Sequence, residues 1–348
     1  MRELTIGTKT ISDDSRAYVI AEIGHNHQGS LDNAIKLIEA AAEAGADAAK
    51  FQKRSNKLLF IPSTYNEIYN SENSFGLTYG QHREALELNE EDYQKCILTA
   101  KSLGIDFFAT AFDFKSADFL RRLDMPAFKI ASGDLQNLPL IEYISKFKKP
   151  IIISTGGSTL QMIDDAVRTI QNYHNNFAIL QCTSGYPAKY EELNLAVISS
   201  LRDKYPNNVI GYSGHENGIA MPLVAYTLGA RVIEKHFTLN RAMKGTDHSF
   251  SLEPQGMKKL VRDLNRASLA IGDGVKMKYE SEIIPIKKMG KMIVASRDLE
   301  INDVISMDDI EFRSPGIGLP PSRLSEVVGR SLAHRVEKYS QISLEDLI

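Results

Sequence analysis

The feature that most constrains the fold is an alternation of short apolar segments with segments of helical periodicity, from residue 17 to about residue 271. The apolar segments, rich in β-branched residues, are predicted strands at residues 17–23, 46–51, 106–111, 127–131, 150–154, 177–182, 209–212 and 231–236. Eight strands that alternate with helices predict an α/β fold, a closed parallel (β/α)8 TIM barrel. An open doubly wound sheet remains the alternative, although its usual GxGxxG turn is absent.

The pattern changes after residue 271 and suggests three parts. Residues 1–271 are predicted to form the barrel, residues 272–286 a charged linker, and residues 287–348 a small mixed domain with strand signals in MIVAS, IEFRS and SLAHRV. A domain of about 60 residues buries little core, so we expect it to dock on another surface. Within the barrel, residues 53–89 form an unusually long connection, which is typical of a functional or disordered loop.

Composition excludes several classes of protein. The chain has 348 residues, 41 basic and 44 acidic side chains, and a net charge of -3, which argues against a dedicated nucleic-acid or anionic-membrane binder. No segment approaches the ~20 apolar residues of a membrane span, and no signal peptide is visible at the N-terminus. Two cysteines cannot form a disulfide framework, so we expect a cytoplasmic protein.

Polar side chains stand at the carboxyl end of every predicted strand, where a parallel barrel builds its active site. In chain order they are Glu22, His25 and His27; Lys50 and Gln52; Thr110; Lys129, Ser132 and Asp134; Ser154; Cys182, Thr183, Ser184 and Tyr186; Ser213 and His215; and Glu234, Lys235 and His236. A purely structural protein has no need for so many polar groups at one rim. The pattern therefore predicts an enzyme.

His215 and His236 end neighbouring strands and are the predicted metal ligands. Two imidazoles, with water and substrate oxygens completing the coordination, favour Mn²⁺ or Mg²⁺ over a closed zinc site. The alternative is that each is a hydrogen-bonded histidine of the core or rim.

Lys50 and Lys129 lie within apolar strands, where a lysine must be paired or hold an anion. With Ser132, Ser154 and Ser213 they form a predicted cradle for phosphate and carboxylate groups; the alternative is an internal ion pair with Glu22 or Asp134. The KGTDHSFSLEP loop offers Asp247 and His248 to a sugar hydroxyl, or is simply solvated. Cys182 is expected to be a small buried apolar residue rather than a nucleophile.

The motifs AEIGHNHQGS, AAKFQK, FFATAFD, FKIASGD, ISTGG, LQCTSGYP, GYSGHE, IEKHFT and KGTDHSFSLEP, in this order, resemble the sialic acid synthase family. The segment from IEFRSPGIGLPPS to the end resembles the small antifreeze-like (SAF) domain that these enzymes carry. The resemblance implies condensation of phosphoenolpyruvate with an N-acetylmannosamine-type sugar. It also implies a homodimer in which the C-terminal domain caps the active site of the partner.

The resemblance assigns roles to residues at the matching motifs. His215 and His236 match the metal ligands, and Glu22 an acidic residue beside the metal that manages protons or water. The phosphoenolpyruvate cradle is matched by Lys50, Thr110, Lys129, Ser132, Ser154 and Ser213. Positions facing the acceptor sugar are matched by Gln52, Asp134, Tyr186 and Asp247, with Arg313 reaching across the dimer. Ser184 stands where some members have asparagine, and Asp134 where some bacterial members have glutamate.

The acceptor sugar is left open by the sequence. CTSGYP, KFQK and LTYGQHREALEL look closer to the branch that includes the animal enzymes, which use a 6-phosphorylated sugar. A second phosphate would then meet the basic side chains of Lys53, Arg54, His82 and Arg83. The alternative, which is favoured here, is that these side chains form a solvated face. Alternatives are a legionaminic or pseudaminic acid synthase acting on a diacetamido-trideoxy hexose, and a metal-dependent sugar isomerase. A Schiff base at either strand lysine is a rival mechanism, and a free-standing ice- or glycan-binding module a rival role for the C-terminal segment.

Overall fold

The computed structural model describes residues 2–348, which form two compact units that divide between Gly272 and Asp273. Within residues 2–348 the strands are β1 (Glu3–Ile6), β2 (Lys9–Ser12), β3 (Tyr18–Gly24), β4 (Ala48–Lys53), β5 (Asp106–Ala111), β6 (Phe128–Ile130), β7 (Ile151–Ser154), β8 (Phe177–Cys182), β9 (Val209–Gly214), β10 (Val232–His236), β11 (Met292–Ala295) and β12 (Ile310–Arg313). The helices are α1 (Leu31–Glu43), α2 (Asn56–Leu59), α3 (Pro62–Tyr65), α4 (Tyr79–Ala85), α5 (Glu90–Ser102), α6 (Phe114–Arg122), α7 (Leu138–Ser145), α8 (Leu160–Gln171), α9 (Val197–Lys204), α10 (Ala220–Thr227), α11 (Pro254–Ala270) and α12 (Glu280–Met289).

Strands β3 to β10 form a closed parallel barrel in the order β10-β3-β4-β5-β6-β7-β8-β9, which confirms the predicted fold. Every residue of β3, β8, β9 and β10 is buried, as expected for strands covered on both faces. Helix α1 shows why the prediction worked. Ser30 caps its amino end by accepting a hydrogen bond from the Asn33 N–H, and Ala34, Leu37, Ile38 and Ala41 form its buried face.

An N-terminal hairpin, β1–β2, precedes the barrel and was not predicted. Leu4, Ile6 and Ile11 are buried in the barrel core, while Lys9 pairs with Asp106 at the start of β5. The hairpin therefore covers the amino-terminal mouth of the barrel. Its strands have four residues each, too short for a periodicity argument, although Gly7 with φ of +57° marks the turn.

The long connection at residues 53–89 is a folded element rather than an irregular loop. It contains α2, α3 and α4, together with an antiparallel bridge between Ile68 and Thr78. His82 is buried there, with the ring of Tyr69 at 4.7 Å. The connection rises from the carboxyl end of β4, so it stands beside the catalytic rim of the barrel.

The second unit is built around the antiparallel pair β11–β12, with short 3-10 turns and isolated bridges. Its core includes Ile293, Leu299, Ile305, Val327 and Leu332. Helix α12 lies partly within residues 272–286, which we expected to be a linker of weak order.

Candidate active site

A cavity of about 610 Å³ opens at the carboxyl ends of the barrel strands, and all eight strands contribute to its wall. Most of the predicted site residues line it. They are Glu22, Lys50, Gln52, Thr110, Lys129, Ser132, Ser154, Ser184, Tyr186, Ser213, His215, His236 and Asp247. The rule that a parallel barrel concentrates its polar groups at this end therefore located the cavity from sequence.

Lys50 is held by two neighbouring strands. In the register of the sheet it lies opposite Glu22, and its Nζ is 2.7 Å from Glu22 Oε2 and donates a hydrogen bond to Thr110 Oγ1 at 2.9 Å. Gln52 donates from Nε2 to the other oxygen of Glu22 at 2.8 Å. Burial raises the pKa of the Glu22 carboxyl, and the attraction of Lys50 offsets this only in part. Of the alternatives considered for Lys50, the pair with Glu22 forms.

Lys129 is also buried in the cavity, and Glu234 lies between it and Lys50. Its Nζ donates to Ser154 Oγ at 2.6 Å and lies 3.9 Å from Glu234 Oε1, which also accepts a hydrogen bond from Ser213 at 3.1 Å. The second oxygen of Glu234 lies 3.7 Å from Lys50 Nζ. Burial would raise the pKa of Glu234, but Lys129 and Lys50 outweigh it and the pKa is lowered.

Two lysines and two carboxylates, Glu22, Lys50, Lys129 and Glu234, therefore form one buried quartet. Glu234 was noted at the end of its strand but was not assigned to the site. The signal was present, since residues 234 and 236 share one face of a strand and His236 was assigned. Lys235, on the other face, turns away from the cavity and pairs with buried Glu216 at 2.9 Å.

The rings of His215 and His236 lie side by side in the cavity, with centroids 5.2 Å apart. His215 Nδ1 is 2.9 Å from the carbonyl oxygen of Thr183, which can only accept, so Nδ1 carries a proton. Burial would lower the pKa of His215, but its contacts with Cys182 and with the Thr183 carbonyl outweigh it and the pKa is raised. His236 Nδ1 is buried and has no hydrogen-bond partner within the described chain, the nearest carboxylate oxygen being Asp247 Oδ2 at 3.9 Å. Burial lowers the pKa of His236 to about 3, so this imidazole is neutral near pH 7.

A neutral imidazole with a free lone pair, as in His236, is a suitable metal donor, and a cation at His215 would take the place of any proton on Nε2. Within residues 2–348 no group of three or more histidine, cysteine, aspartate or glutamate side chains is arranged to hold a metal ion. The protein therefore offers two nitrogen donors, and water or substrate would have to supply the rest. This donor set fits an ion that tolerates oxygen ligands.

A turn rich in small residues shapes the floor of the cavity. The Gly156 N–H donates to Ser132 Oγ at 3.0 Å. A Cβ on Gly156 would collide with Ser184 Oγ and lie 2.9 Å from Ser132 Oγ, so space favours glycine at this position of the ISTGG motif. Cys182 is buried as expected, but it also lines the cavity, with Sγ 3.8 Å from His215 Nδ1.

Two predicted residues are not part of this wall. Asp134 is half-buried on the turn after β6 and accepts a hydrogen bond from Asn137 Nδ2 at 3.1 Å, and burial raises the pKa of its carboxyl. Arg313 belongs to β12 in the second unit, where it pairs with Glu311 at 2.6 Å and covers the ring of Tyr339 at 3.8 Å. Their assignment to the acceptor sugar remains a prediction.

The solvated face that we favoured is not formed by the four basic side chains in question, Lys53, Arg54, His82 and Arg83. Arg54 and Arg83 are half-buried and line the cavity, and His82 is buried. Lys53 is half-buried and paired with Glu87 at 2.7 Å. Their sequence positions could not show this, because it depends on how α4 packs beside β4.

The family comparisons match both units of the chain. A sequence model of the NeuB family matches residues 37–276, and a model of the SAF domain matches residues 290–348. The chain is 38% identical over 332 residues to N-acetylneuraminate-9-phosphate synthase of Homo sapiens, covering 95% of this chain and 92% of the relative. It is also 38% identical over 334 residues to N,N'-diacetyllegionaminic acid synthase of Legionella pneumophila, with coverage of 94% and 93%.

Solved structures agree with this assignment. N-acetylneuraminic acid (sialic acid) synthetase from Leptospira borgpetersenii, solved with citrate, matches with a TM-score of 0.70 at 33% identity, over 82% of this chain and 95% of that one. No helix within residues 2–348 has the length and apolar character needed to span a membrane. The resemblance to sialic acid synthases with an antifreeze-like domain is confirmed, and the chain belongs to the NeuB family.

Proposed function

We propose that this protein condenses phosphoenolpyruvate with an N-acylmannosamine-type sugar, giving a nonulosonic acid and inorganic phosphate. The observation that carries the proposal is the buried quartet of Glu22, Lys50, Lys129 and Glu234, set beside the imidazoles of His215 and His236 in one cavity. Fixed cations suit a small polyanion, and adjacent imidazoles suit a metal that activates a carbonyl group. Relatives named as synthases of sialic and legionaminic acids support this chemistry.

Phosphoenolpyruvate would bind at the lysines. Lys50 and Lys129 supply the positive charge, and the hydroxyl groups of Thr110, Ser154 and Ser213 already accept from or donate to members of the quartet. Because these groups are fixed before substrate arrives, they stabilise developing charge without reorganisation. A phosphate or carboxylate oxygen at Lys50 would compete with Glu22 for the ammonium group.

His215 and His236 would hold a divalent ion, Mn²⁺ or Mg²⁺. When bound, the ion acts as a Lewis acid that polarises the aldehyde of the open-chain sugar. Tyr186, whose ring centroid lies 4.4 Å from that of His215, lines this part of the cavity.

The reaction forms a carbon–carbon bond and a carbon–oxygen bond from water, and it breaks the carbon–oxygen bond to the phosphate. Carbon 3 of phosphoenolpyruvate attacks the aldehyde carbon, water adds to carbon 2, and the resulting tetrahedral centre expels phosphate. Glu22 is suited to take the proton of that water, because burial raises the pKa of its carboxyl towards the working range of a general base. Lys50 and Lys129 balance the charge of the phosphoenolpyruvate throughout.

A Schiff base at a lysine is the rival mechanism. Lys50 Nζ is occupied by Glu22 and Thr110, and Lys129 Nζ by Ser154 and the carbonyl oxygen of Ile130 at 3.1 Å. These contacts favour a purely electrostatic role. Borohydride reduction in the presence of pyruvate distinguishes the two, since a covalent adduct on either lysine would exclude the proposed mechanism.

We also propose a homodimer in which Arg313 serves the active site of the partner subunit. Support comes from α12, where Ile283, Ile284, Ile286 and Met289 are each more than half exposed. Exposed apolar helix faces of this kind are typical of interaction surfaces. Light scattering should report a dimer for the full chain, and Arg313→Ala should lower turnover; a fully active monomer would exclude the arrangement.

The proposed reaction is tested by phosphate release from phosphoenolpyruvate with Mn²⁺ or Mg²⁺ present. The acceptors are N-acetylmannosamine, its 6-phosphate and a diacetamido-trideoxy hexose, the last representing the legionaminic or pseudaminic acid alternative. Phosphate release that requires an acceptor, with a nonulosonic acid detected by mass spectrometry, is the expected result. Absence of release with every acceptor would refute the proposal.

A further inference from the structure

We propose that Arg54 and Arg83 form a second anion site in the cavity, which binds a phosphate group on the acceptor sugar. The acceptor would therefore be a phosphorylated sugar. This inference rests on the proposed condensation, but its test below separates the two.

Arg54 follows β4 directly and is half-buried, with no carboxylate of the described chain in contact with its guanidinium group. Its guanidinium carbon lies 3.7 Å from the centre of the Phe112 ring, and Nη1 lies 3.2 Å from His25 Nδ1. The nearby carboxylate of Glu87 is occupied by Lys53 at 2.7 Å and by His25 at 3.4 Å. No carboxylate oxygen within residues 2–348 lies within 4.0 Å of the Arg54 guanidinium. A half-buried cation without a counter-ion is costly, which points to a ligand that supplies the charge.

Arg83 stands on α4 and reaches the same cavity from the long connection. Its side-chain hydrogen bonds, from Nε at 3.0 Å and Nη2 at 2.8 Å, both go to the hydroxyl of Tyr79, a neutral acceptor. Among the described residues it makes no ion pair either. Burial, followed by repulsion from Arg83, lowers the pKa of Arg54 to about 10, so the Arg54 guanidinium remains charged at neutral pH.

The contrast with the lysines separates two parts of one cavity. Lys50 and Lys129 form ion pairs with Glu22 and Glu234, whereas Arg54 and Arg83 form none in the described part of the chain, and Glu87 and Asp247 act on Arg54 only from beyond contact distance. The planar guanidinium presents paired N–H donors that match the oxygens of phosphate. Phosphoenolpyruvate is assigned to the lysines. Arg54 and Arg83, which form no ion pair within the described chain, are therefore assigned to an anionic group on the other substrate.

The position of the pair fits the length of an open-chain sugar. Strand β3 separates β4, which Arg54 follows directly, from β10, which carries His236. Two strand spacings amount to roughly 10 Å. A six-carbon sugar with its aldehyde at His215 and His236 can therefore place a phosphate on its far end near Arg54 and Arg83. This gives residues 53–89 a role, since α4 delivers one of the two guanidinium groups.

The test compares N-acetylmannosamine with N-acetylmannosamine 6-phosphate, using the full-length protein with saturating phosphoenolpyruvate and Mn²⁺. The wild-type protein should show a higher kcat/KM for the 6-phosphate, and Arg83→Gln should lower the ratio of the two values ~10- to 100-fold, the worth of a charged hydrogen bond. Arg54→Gln should act in the same direction. Arg262→Gln, which removes an exposed arginine paired with Asp263, is the matched control and should keep the wild-type ratio.

Calorimetric titration with the 6-phosphate gives a readout that does not depend on turnover. A wild-type protein that uses both sugars equally, or an Arg83→Gln variant with an unchanged ratio, would overturn the anion site while leaving the condensation intact. A further outcome is that the wild-type protein binds the 6-phosphate and Arg83→Gln fails to bind it, while no acceptor leads to phosphate release from phosphoenolpyruvate. That result would support the anion site and refute the condensation. Absence of both binding and turnover would overturn both.

Discussion

Replacement of Glu234 by glutamine tests the buried quartet most sharply. The amide keeps the shape of the side chain and can still accept the hydrogen bond from Ser213, but it removes the negative charge between Lys50 and Lys129. The free protein then holds two buried ammonium groups with Glu22 as their remaining carboxylate. We expect Glu234→Gln to be destabilised in the absence of ligand.

The magnitude follows from the distances. At 3.7 and 3.9 Å, and an effective dielectric constant of about 20, each lysine interacts with Glu234 by roughly 4 kcal/mol. Relief of the desolvation of Glu234 offsets part of this sum, so we expect a loss of ~3–5 kcal/mol, as for other broken buried ion pairs. Phosphoenolpyruvate would replace the missing charge. Saturation with it should reduce the difference from wild type by ~1–2 kcal/mol, equivalent to ~5- to 30-fold tighter binding.

The assay is urea denaturation of wild type and variant, with and without phosphoenolpyruvate, together with calorimetric binding. Glu216→Gln is the matched control, because Glu216 forms another buried lysine pair, with Lys235 at 2.9 Å, outside the cavity. It should lose stability to a similar extent and regain none of it with phosphoenolpyruvate. If Glu234→Gln shows the same deficit with and without ligand, or binds phosphoenolpyruvate more weakly than wild type, the reasoning about the quartet is wrong.

Three further predictions concern separate parts of the barrel. Lys129→Ala should raise the KM for phosphoenolpyruvate ~10- to 100-fold, because a charged hydrogen bond to the substrate is lost; a normal KM in steady-state kinetics would remove Lys129 from the cradle. Gly156→Ala should lower kcat/KM ~100-fold by displacing Ser132 and Ser184. A variant with the kcat/KM of wild type would show that the turn can accommodate the added methyl group. Burial lowers the pKa of His27 to about 3, and its Nδ1 accepts a hydrogen bond from the Gly29 N–H at 3.1 Å. The free energy of unfolding that neutral His27 contributes above pH 6.5 should therefore be lost as the pH falls, by ~2 kcal/mol between pH 7 and 5. Urea denaturation at both values should show a smaller loss for His27→Gln, and an equal loss would contradict the assignment.

The barrel could be predicted because its signal is local and repeated. Each strand is a short apolar segment, each helix has one apolar face, and the polar residues at the strand ends share one rim by the geometry of the fold. The prediction therefore located the cavity and most of its wall. The observed barrel strands begin and end within two residues of the predicted bounds.

The parts that could not be predicted depend on pairing across the structure. Which carboxylate neutralises which lysine follows from the register that sets Glu22 beside Lys50 and Glu234 beside Ser213. The burial of Arg54 and Arg83 depends on the packing of short helices whose four to seven residues carry no clear period. Alternation within a strand puts Lys235 on the face opposite to His236, but the sequence-based prediction treated the rim as a single set of polar residues and did not use this.

The central claim is that this cavity joins phosphoenolpyruvate to a sugar aldehyde by attack of water at carbon 2. The most direct measurement uses phosphoenolpyruvate labelled with ¹⁸O in the oxygen that bridges carbon 2 and phosphorus, turned over with the preferred acceptor. The account predicts one nonulosonic acid per phosphate released, with the label in the phosphate, because the carbon–oxygen bond breaks. Label retained in the sugar acid, or phosphate released without an acceptor, would contradict it.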